Sequence, residues 1–242
     1  MLIVITSCQT AEKLPTDPQP LYVLQGPTDE HSSEFAVLGP QGVNLQIFAK
    51  PLKGTVSYKA DLKTHTHRGS PWVVQRFAFK GLPSGDYYLV IKDDKDREWD
   101  KRLFHTLQIR AKNLRFAVAS CMDDSFKDVQ KVMWQGMIDA KPDMIFLIGD
   151  NAYVDKVPGL VGPADPDLMW TRHVETRSRL KIFRTYELTP IWVVWDDNDY
   201  GMNDGDMTNK YRNESTDIYK IFFALGENNL VTHFGPGISK IS

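Results

Sequence analysis

The sequence has few cysteines, no long apolar run and no excess of charge of either sign. No apolar stretch approaches the ~20 residues that a membrane-spanning helix needs, so no such helix is expected. Lys and Arg total 29 against 31 for Asp and Glu, which gives no electrostatic reason to expect nucleic acid or an anionic membrane surface as a partner. Neither a phosphate-binding P-loop nor a Gly-x-Ser-x-Gly nucleophile elbow occurs, so neither of those catalytic classes is indicated.

The first residues resemble the end of a bacterial lipoprotein signal. Residues 1–5 are apolar, and Ile5-Thr6-Ser7-Cys8 resembles a lipobox, whose cysteine receives a lipid and becomes the mature N-terminus. The basic region and most of the apolar core of a signal peptide are missing, so residues 1–19 are interpreted as a truncated signal and a linker, with a strand-like N-terminus as the alternative. We therefore expect an exported bacterial lipoprotein, periplasmic or on the cell surface, whose only membrane contact is a lipid on Cys8.

The second cysteine needs an explanation of its own. With a lipid on Cys8, Cys121 has no intrachain disulfide partner. Burial as a small hydrophobic residue would explain it, and so would ligation of a metal ion.

Residues 20–112 have the pattern of an antiparallel β-sandwich. A hydrophobic content of 42% with 25% charged residues is ordinary for a globular protein, and 242 residues suffice for two domains. Apolar and polar residues alternate from residue 21 to 108, as at Val43, Leu45 and Ile47, and turn residues interrupt them. Short strands at roughly 8–12-residue spacing predict a sandwich of the fibronectin or immunoglobulin type, with no helix in this half.

From residue 113 the pattern changes to strands that alternate with helices. Three mostly apolar runs, at 114–119, 144–148 and 191–195, predict strands. Helices are predicted after a capping-box-like start at Ser125 and Asp128, around residues 176–188, and over 215–225. Strand–helix repeats of this kind predict an α/β half over 113–242, with a parallel sheet buried on both faces.

Each of the three predicted strands is followed by a side chain that can bind a metal ion. Those side chains are Cys121, Asp150 and Asp197. Ligands in open α/β sheets bind at the carboxyl ends of the strands, so we expect the three to converge. Such a crowded anionic site needs protons or cations, and two metal ions there could polarise a phosphoryl group and activate water. Alternatively, each residue only caps a strand or a helix.

Several short segments around these positions form a recognisable set. They are Ser120-Cys121, Gly149-Asp150-Asn151-Ala152-Tyr153-Val154-Asp155, Thr189-Pro190 and Trp195-Asp196-Asp197-Asn198-Asp199-Tyr200-Gly201. The first half adds Gly81-Leu82-Pro83, Tyr87, Tyr88, Arg102, Phe104 and Thr106. Together they resemble the PhoD-like alkaline phosphatases, a branch of the calcineurin-like metallophosphoesterases with a fibronectin-like N-terminal domain. The resemblance implies that the chain is an N-terminal fragment of such a protein, with residues 113–242 as the first half of the catalytic domain.

The resemblance also implies a two-metal site that hydrolyses phosphate mono- and diesters. It implies that Cys121 binds iron, that Asp150 bridges both metals, that Tyr153 is a phenolate ligand and that Asp197 holds the second metal. A thiolate and a phenolate suit iron, whereas carboxylates suit calcium, so iron plus calcium is expected, with zinc or manganese as alternatives. The expected partner is a small phosphate-ester substrate.

Two departures from the family pattern bear on activity. The family has a histidine after the paired aspartates, where it contacts the phosphate, and Asn198 takes that catalytic position here. Its amide can donate a hydrogen bond but cannot act as a general acid near neutral pH. The chain also ends at Ser242, before the histidine-containing metal motifs of the family. The alternative function is therefore an exported surface-binding protein with a catalytically dead phosphatase-like domain.

The remaining candidates are given structural roles. Asp155 and Asp196 are expected to hydrogen-bond loop amides near the site. The segment His65-Thr66-His67 has the spacing of metal ligands but is interpreted as part of a solvated polar loop. A predicted helix carries basic residues that could meet a phosphate, but a charged, solvent-facing helix surface is the preferred interpretation. Those residues are Arg172, His173 and Arg177.

Overall fold

The N-terminal part of the chain folds as two four-stranded antiparallel sheets. The structure is a computed structural model, and it describes residues 21–108, 113–226, 231–233 and 239–241. The predicted signal and linker, including Cys8, lie outside the described residues. The first sheet has the order β1–β2–β6–β5 and the second β4–β3–β7–β8. The strands are β1 (Tyr22–Thr28), β2 (Ser33–Pro40), β3 (Leu45–Pro51), β4 (Tyr58–Lys59), β5 (Lys63–Thr66), β6 (Trp72–Phe79), β7 (Asp86–Asp93) and β8 (Glu98–His105).

The inner faces of the two sheets share one hydrophobic core. Phe35 and Val37 of β2 pack in the same cluster as Ile47 of β3 and Leu89 of β7, and all four are fully buried. These side chains alternate along their strands because successive residues of a strand point to opposite faces. The antiparallel sheets predicted for this half are confirmed, and its described residues contain no helix.

The first sheet is buried on its outer face as well. Glu34 and Ala36, which alternate with Phe35 and Val37 along β2, are only 1% and 4% exposed. Ala36 belongs to a second core that also contains Phe222 and Phe223 from the C-terminal half. The first sheet is therefore a central layer, with the second sheet on one side and the C-terminal half on the other.

Buried arginines satisfy backbone carbonyls where the two halves meet. Arg102 on β8 is fully buried and pairs with Asp100. Its Nη2 also donates to the carbonyl oxygen of Leu21 at 2.6 Å, and its Nη1 donates to that of Thr185 at 2.5 Å. Arg76 on β6 donates to the carbonyl of Leu225 at 2.6 Å. Buried charges are tolerated only when they are paired and hydrogen-bonded, so these contacts restrict how the two halves can pack.

The C-terminal half contains a three-stranded parallel sheet with the order β11–β10–β9. A mixed fold, with antiparallel sheets and a parallel sheet, is therefore confirmed. None of the helices in the described ranges has the length and apolar character needed to cross a membrane. The elements are β9 (Phe116–Ala119), α1 (Lys127–Asp139), β10 (Met144–Ile148), α2 (Pro166–Arg179), a 3₁₀ turn (Lys181–Arg184), β11 (Ile191–Val194), α3 (Asp197–Tyr200), α4 (Arg212–Phe222), β12 (Val231–His233) and β13 (Ser239–Ile241).

Only one face of the parallel sheet is buried. Ile145 and Leu147 on β10 pack in the same core as Trp134 of α1 and Trp170 of α2. On the opposite face, Phe116, Val118 and Ile148 are 61%, 50% and 55% exposed. The prediction of a sheet buried on both faces is therefore wrong for the described residues, because the helices that pack on the sheet contribute to the same core.

Two of the predicted helix starts are also wrong. The helix placed around 176–188 is α2, which begins ten residues earlier at Pro166, since Asp165 caps it by accepting from the amide of Leu168 at 2.8 Å. The start of α1 has no side-chain cap. Ser125 instead donates its hydroxyl to Asp123 Oδ1 at 2.7 Å, so it belongs to the loop before the helix.

The basic residues of α2 point into the protein. His173 stacks on the ring of Phe222 with centroids 4.8 Å apart. The Arg177 guanidinium lies 3.9 Å from the centroid of the Phe183 ring and donates to the carbonyl of Phe222 at 2.7 Å. Arg172 is buried against Asp124. The interpretation as a solvent-facing charged surface is therefore wrong, because these side chains join α2 to its neighbours.

The histidine pair of the sandwich lies on an edge strand and directly after it. His65 is part of β5, and His67 follows it. The His67 ring stacks on Trp170 of α2 at 5.2 Å, and its Nε2 lies 2.6 Å from Asp167 Oδ1. His67 therefore contributes to the contact between the two halves, and the predicted solvation of this segment is wrong for His67.

We expect His173→Phe to reduce the loss of stability in acid. Burial, together with the charges of Arg177 and Arg172, holds the pKa of His173 well below its usual value. The stability that depends on the neutral ring is fully present above the unfolded-state pKa of about 6.5 and is lost as the pH falls towards the folded-state pKa. In urea unfolding, the wild type should lose up to roughly 2 kcal/mol more than the variant between about pH 7.5 and pH 5. Equal losses in the two proteins would contradict this.

Candidate metal centre

The loops that follow the parallel strands lie side by side at one edge of the sheet. The amide of Cys121 donates to the carbonyl of Gly149 at 3.2 Å, and the amide of Met122 donates to the carbonyl of Asp150 at 2.8 Å. Cys121 and Asp150 both have left-handed backbone conformations, with φ of +57° and +51°. Non-glycine residues seldom adopt this conformation, and such strain is concentrated at functional sites.

Three aspartates converge beyond the ends of β10 and β11. Asp150, Asp196 and Asp197 each offer a carboxylate oxygen, and these three oxygens lie within 4.8 Å of one another. Burial raises the pKa of Asp150, and the charges of Asp197 and Asp196 raise it further, against a hydrogen bond from Tyr153. Like charges this close favour a bound proton or a bound cation.

The Asp150 carboxylate has one oxygen available for a ligand. Its Oδ1 is buried and has no hydrogen-bond partner within the described part of the chain. Its Oδ2 accepts from the Tyr153 hydroxyl at 3.1 Å. An orphaned carboxylate oxygen beside two further carboxylates fits a hard divalent cation, which oxygen ligands bind best.

Tyr153 joins the thiol of Cys121 to the carboxylates. Burial raises the pKa of Tyr153 above its usual value, and the adjacent Cys121 thiol and Asp150 carboxylate raise it further. The phenol is therefore neutral in the absence of a cation. Cys121 is exposed, and the Ser120 hydroxyl lies 3.5 Å from its sulfur. The thiol and the phenol form a softer set of donor groups than the carboxylates.

Of the four residues that were predicted as metal ligands, the structure brings Asp150 and Asp197 into one carboxylate cluster. Tyr153 lies against Asp150, and Cys121 lies beside Tyr153 but is not part of that cluster. Asp196 was assigned only to loop amides. It does accept from the amide of Asp197 at 3.0 Å, but it also belongs to the carboxylate cluster. Asp155 accepts from the amide of Asn203 at 2.7 Å, which is the role predicted for it.

The predicted catalytic residue, Asn198, is part of the short helix α3. Its side chain is buried, and its own backbone amide donates to Asp197 Oδ1 at 3.0 Å. Asn198 is therefore the direct neighbour of a predicted metal ligand, at the start of a helix capped by Asp196.

One residue at the centre of the site was missed by the sequence analysis. Asp199 is 1% exposed and accepts backbone hydrogen bonds from Asn151, Ala152 and Asp196. Burial raises the pKa of Asp199 to about 8, against the effect of these amides. The local signal is the spacing of Asp196 and Asp199, which matches the first and last residues of a capping box. No local sequence pattern predicts the contacts of Asp199 with the loop after β10.

No model of a protein family matches the chain, and no curated protein matches it. The family resemblance therefore rests on the short segments around Cys121, Asp150 and Asp197 and on the N-terminal segments already named.

We expect Gly149→Ala to destabilise the protein more than Gly159→Ala. Both glycines have positive φ, at +114° and +81°. A Cβ at Gly149 would lie 2.9 Å from Asp196 Cβ, whereas a Cβ at Gly159 would meet no atom within 4 Å. Overpacking typically costs ~1–3 kcal/mol, and urea unfolding should show a difference of this size. Equal losses would show that the approach of Gly149 to Asp196 is not restrictive.

Proposed function

We propose that this chain carries the metal site of a hydrolase of phosphate mono- and diesters, of the PhoD-like type. The observation that supports this most directly is the cluster of Asp150, Asp196 and Asp197, whose oxygens lie within 4.8 Å of one another. The cluster lies at the carboxyl ends of parallel strands, which is where ligands bind in open α/β sheets. It includes Asp150 Oδ1, a buried oxygen that has no hydrogen-bond partner among the described residues.

Two metal ions of different character are proposed for this site. The carboxylates of Asp150, Asp196 and Asp197 would hold the harder ion, calcium or manganese. The Cys121 thiolate and the Tyr153 phenolate would hold iron, with Asp150 between the two groups of ligands. When bound, such ions polarise the phosphoryl group and lower the pKa of water, so that hydroxide is available near neutral pH.

The chain's own residues supply the remaining roles. The Tyr153 hydroxyl donates to Asp150 Oδ2, and it would have to lose this proton to solvent in order to become a ligand. Asn198 would orient the phosphate through its amide hydrogens, as a hydrogen-bond donor without acid function. Without an imidazole at this position, the leaving group would depart without protonation by residue 198.

We expect Asp150→Asn and Asp197→Asn to remove most of the bound metal. Each change replaces an anionic ligand by a neutral amide, which is a poor ligand for divalent cations. The measurement is metal content per chain after loading with iron and calcium and dialysis, together with hydrolysis of a nitrophenyl phosphate ester. Asp217→Asn, an exposed position on α4, is the control with the same change of charge. A wild-type chain without stoichiometric metal would overturn the proposal and favour a surface-binding protein with an inactive domain.

We expect that, in the full-length protein, Asn198→His increases the turnover of an alkyl phosphate ester more than that of a nitrophenyl ester. General acid catalysis typically contributes ~10²–10⁴-fold, and it matters most when the leaving alcohol is weakly acidic. Nitrophenolate leaves without protonation and should gain little. The test is the ratio of the two rates in both proteins. Equal changes for the two esters, or none, would show that residue 198 does not stand in the place of a general acid.

A further inference from the structure

The carboxylate of Asp199 hydrogen-bonds to two loops of the site at once. Its Oδ2 accepts from the amide of Asn151 at 3.0 Å, and its Oδ1 accepts from the amide of Ala152 at 2.7 Å. These two amides directly follow Asp150 in the loop after β10. The same Oδ2 accepts from the amide of Asp196 at 3.1 Å, in the loop after β11. Asp199 therefore cross-links the backbone segments that carry the clustered aspartates.

A second side chain strengthens this cross-link. The side-chain nitrogen of Asn151, Nδ2, donates to the carbonyl of Val194 at 2.7 Å, at the end of β11. The same Nδ2 lies 2.8 Å from the Tyr219 hydroxyl on α4. The same nitrogen lies 3.3 Å from Asp199 Oδ2. Both side chains are fully buried, so water does not compete for these hydrogen bonds.

The clustered aspartates need such support because their charges repel one another. Asp196 is exposed, and Asp150 and Asp197 are half-buried. Without a cation, the repulsion among their carboxylates falls when the two loops move apart, which favours separation of the loops. Buried hydrogen bonds from backbone amides to a carboxyl group are directional, and water does not compete for them. The bonds to Asp199 therefore oppose the separation of the β10 and β11 loops.

We propose that Asp199 is a positioning residue that holds Asp150 at a fixed distance from Asp196 and Asp197 and so sets the affinity of the site for divalent cations. This inference rests on the proposed metal site. Asp199 is not itself a ligand or a reacting group, since both of its oxygens accept backbone hydrogen bonds and the residue is 1% exposed. Groups of this kind orient metal ligands from behind.

The test is Asp199→Asn in the full chain. An asparagine keeps the shape but places an NH₂ group against at least one of the backbone amides that now donate to the carboxylate. We expect affinity for Mn²⁺ and Ca²⁺, measured by calorimetry, to fall about 10–100-fold. At least one of the amide hydrogens of Asn151, Ala152 and Asp196 should exchange at least about tenfold faster than in wild type, measured without metal, because the amide that faces the NH₂ group loses its hydrogen bond.

Two control variants separate positioning from a general loss of stability. Leu89→Ala truncates a buried side chain of the sandwich core, far from the site in the fold, and so destabilises the protein without touching the loops. Asp217→Asn removes one exposed charge from α4. Both controls should retain the cation affinity of wild type and the slow exchange of the three amides at a temperature where all variants are folded.

The outcomes distinguish this inference from the proposed function. Wild-type affinity and wild-type amide exchange in Asp199→Asn would overturn the positioning role while leaving the metal site intact. Equal loss of affinity in Leu89→Ala would also overturn it, since the effect would then follow stability alone. A wild-type chain that binds neither Mn²⁺ nor Ca²⁺, but whose amide protection depends on Asp199, would overturn the proposed function and reduce Asp199 to a structural cross-link.

Discussion

The burial of one antiparallel sheet on both faces is the constraint on which the rest of the structure depends. Polar side chains on the outer face of that sheet have no access to bulk water, so they need partners inside the protein. Glu34 lies 3.8 Å from Arg76, and Arg76 in turn donates to the carbonyl of Leu225 just beyond α4. On the second sheet, the buried Arg102 of β8 likewise donates to the carbonyls of Leu21 and Thr185. The helices are thereby held against the sandwich, and the strand ends that carry the site are held with them.

In the site itself, hydrogen bonds to Asp199 oppose the repulsion among neighbouring carboxylates. Parallel pairing of β9, β10 and β11 delivers one anionic or ionisable group per strand end to the same edge. Repulsion among these groups is opposed by backbone amides that converge on Asp199, and Gly149 permits the close approach of the two loops. The arrangement keeps carboxylates together in the absence of a counter-ion, which is a condition for binding one readily.

The sequence predicts the elements well where local patterns decide them. The strand at 144–148 has the predicted bounds because an apolar run is enclosed between Asp143 and Gly149. The start of α2 was missed because its signal, Asp165 followed by Pro166, lies in a segment rich in proline and glycine that predicts a loop. The burial of Arg177 and the role of Asp199 depend on partners 45–48 residues away in sequence, which no local pattern reveals. The convergence of Asp150 and Asp197 could be predicted because strand order and direction alone determine it.

The exposed face of the parallel sheet has a consequence for the behaviour of the protein in solution. This face carries exposed apolar side chains, those of Phe116, Val118 and Ile148. Within the described residues, β9 is also paired on one side only. A strand edge with free backbone groups beside apolar side chains is a template on which further chains can add. Because hydrophobic association weakens on cooling, any self-association through this face would increase with protein concentration and with warming from low temperature.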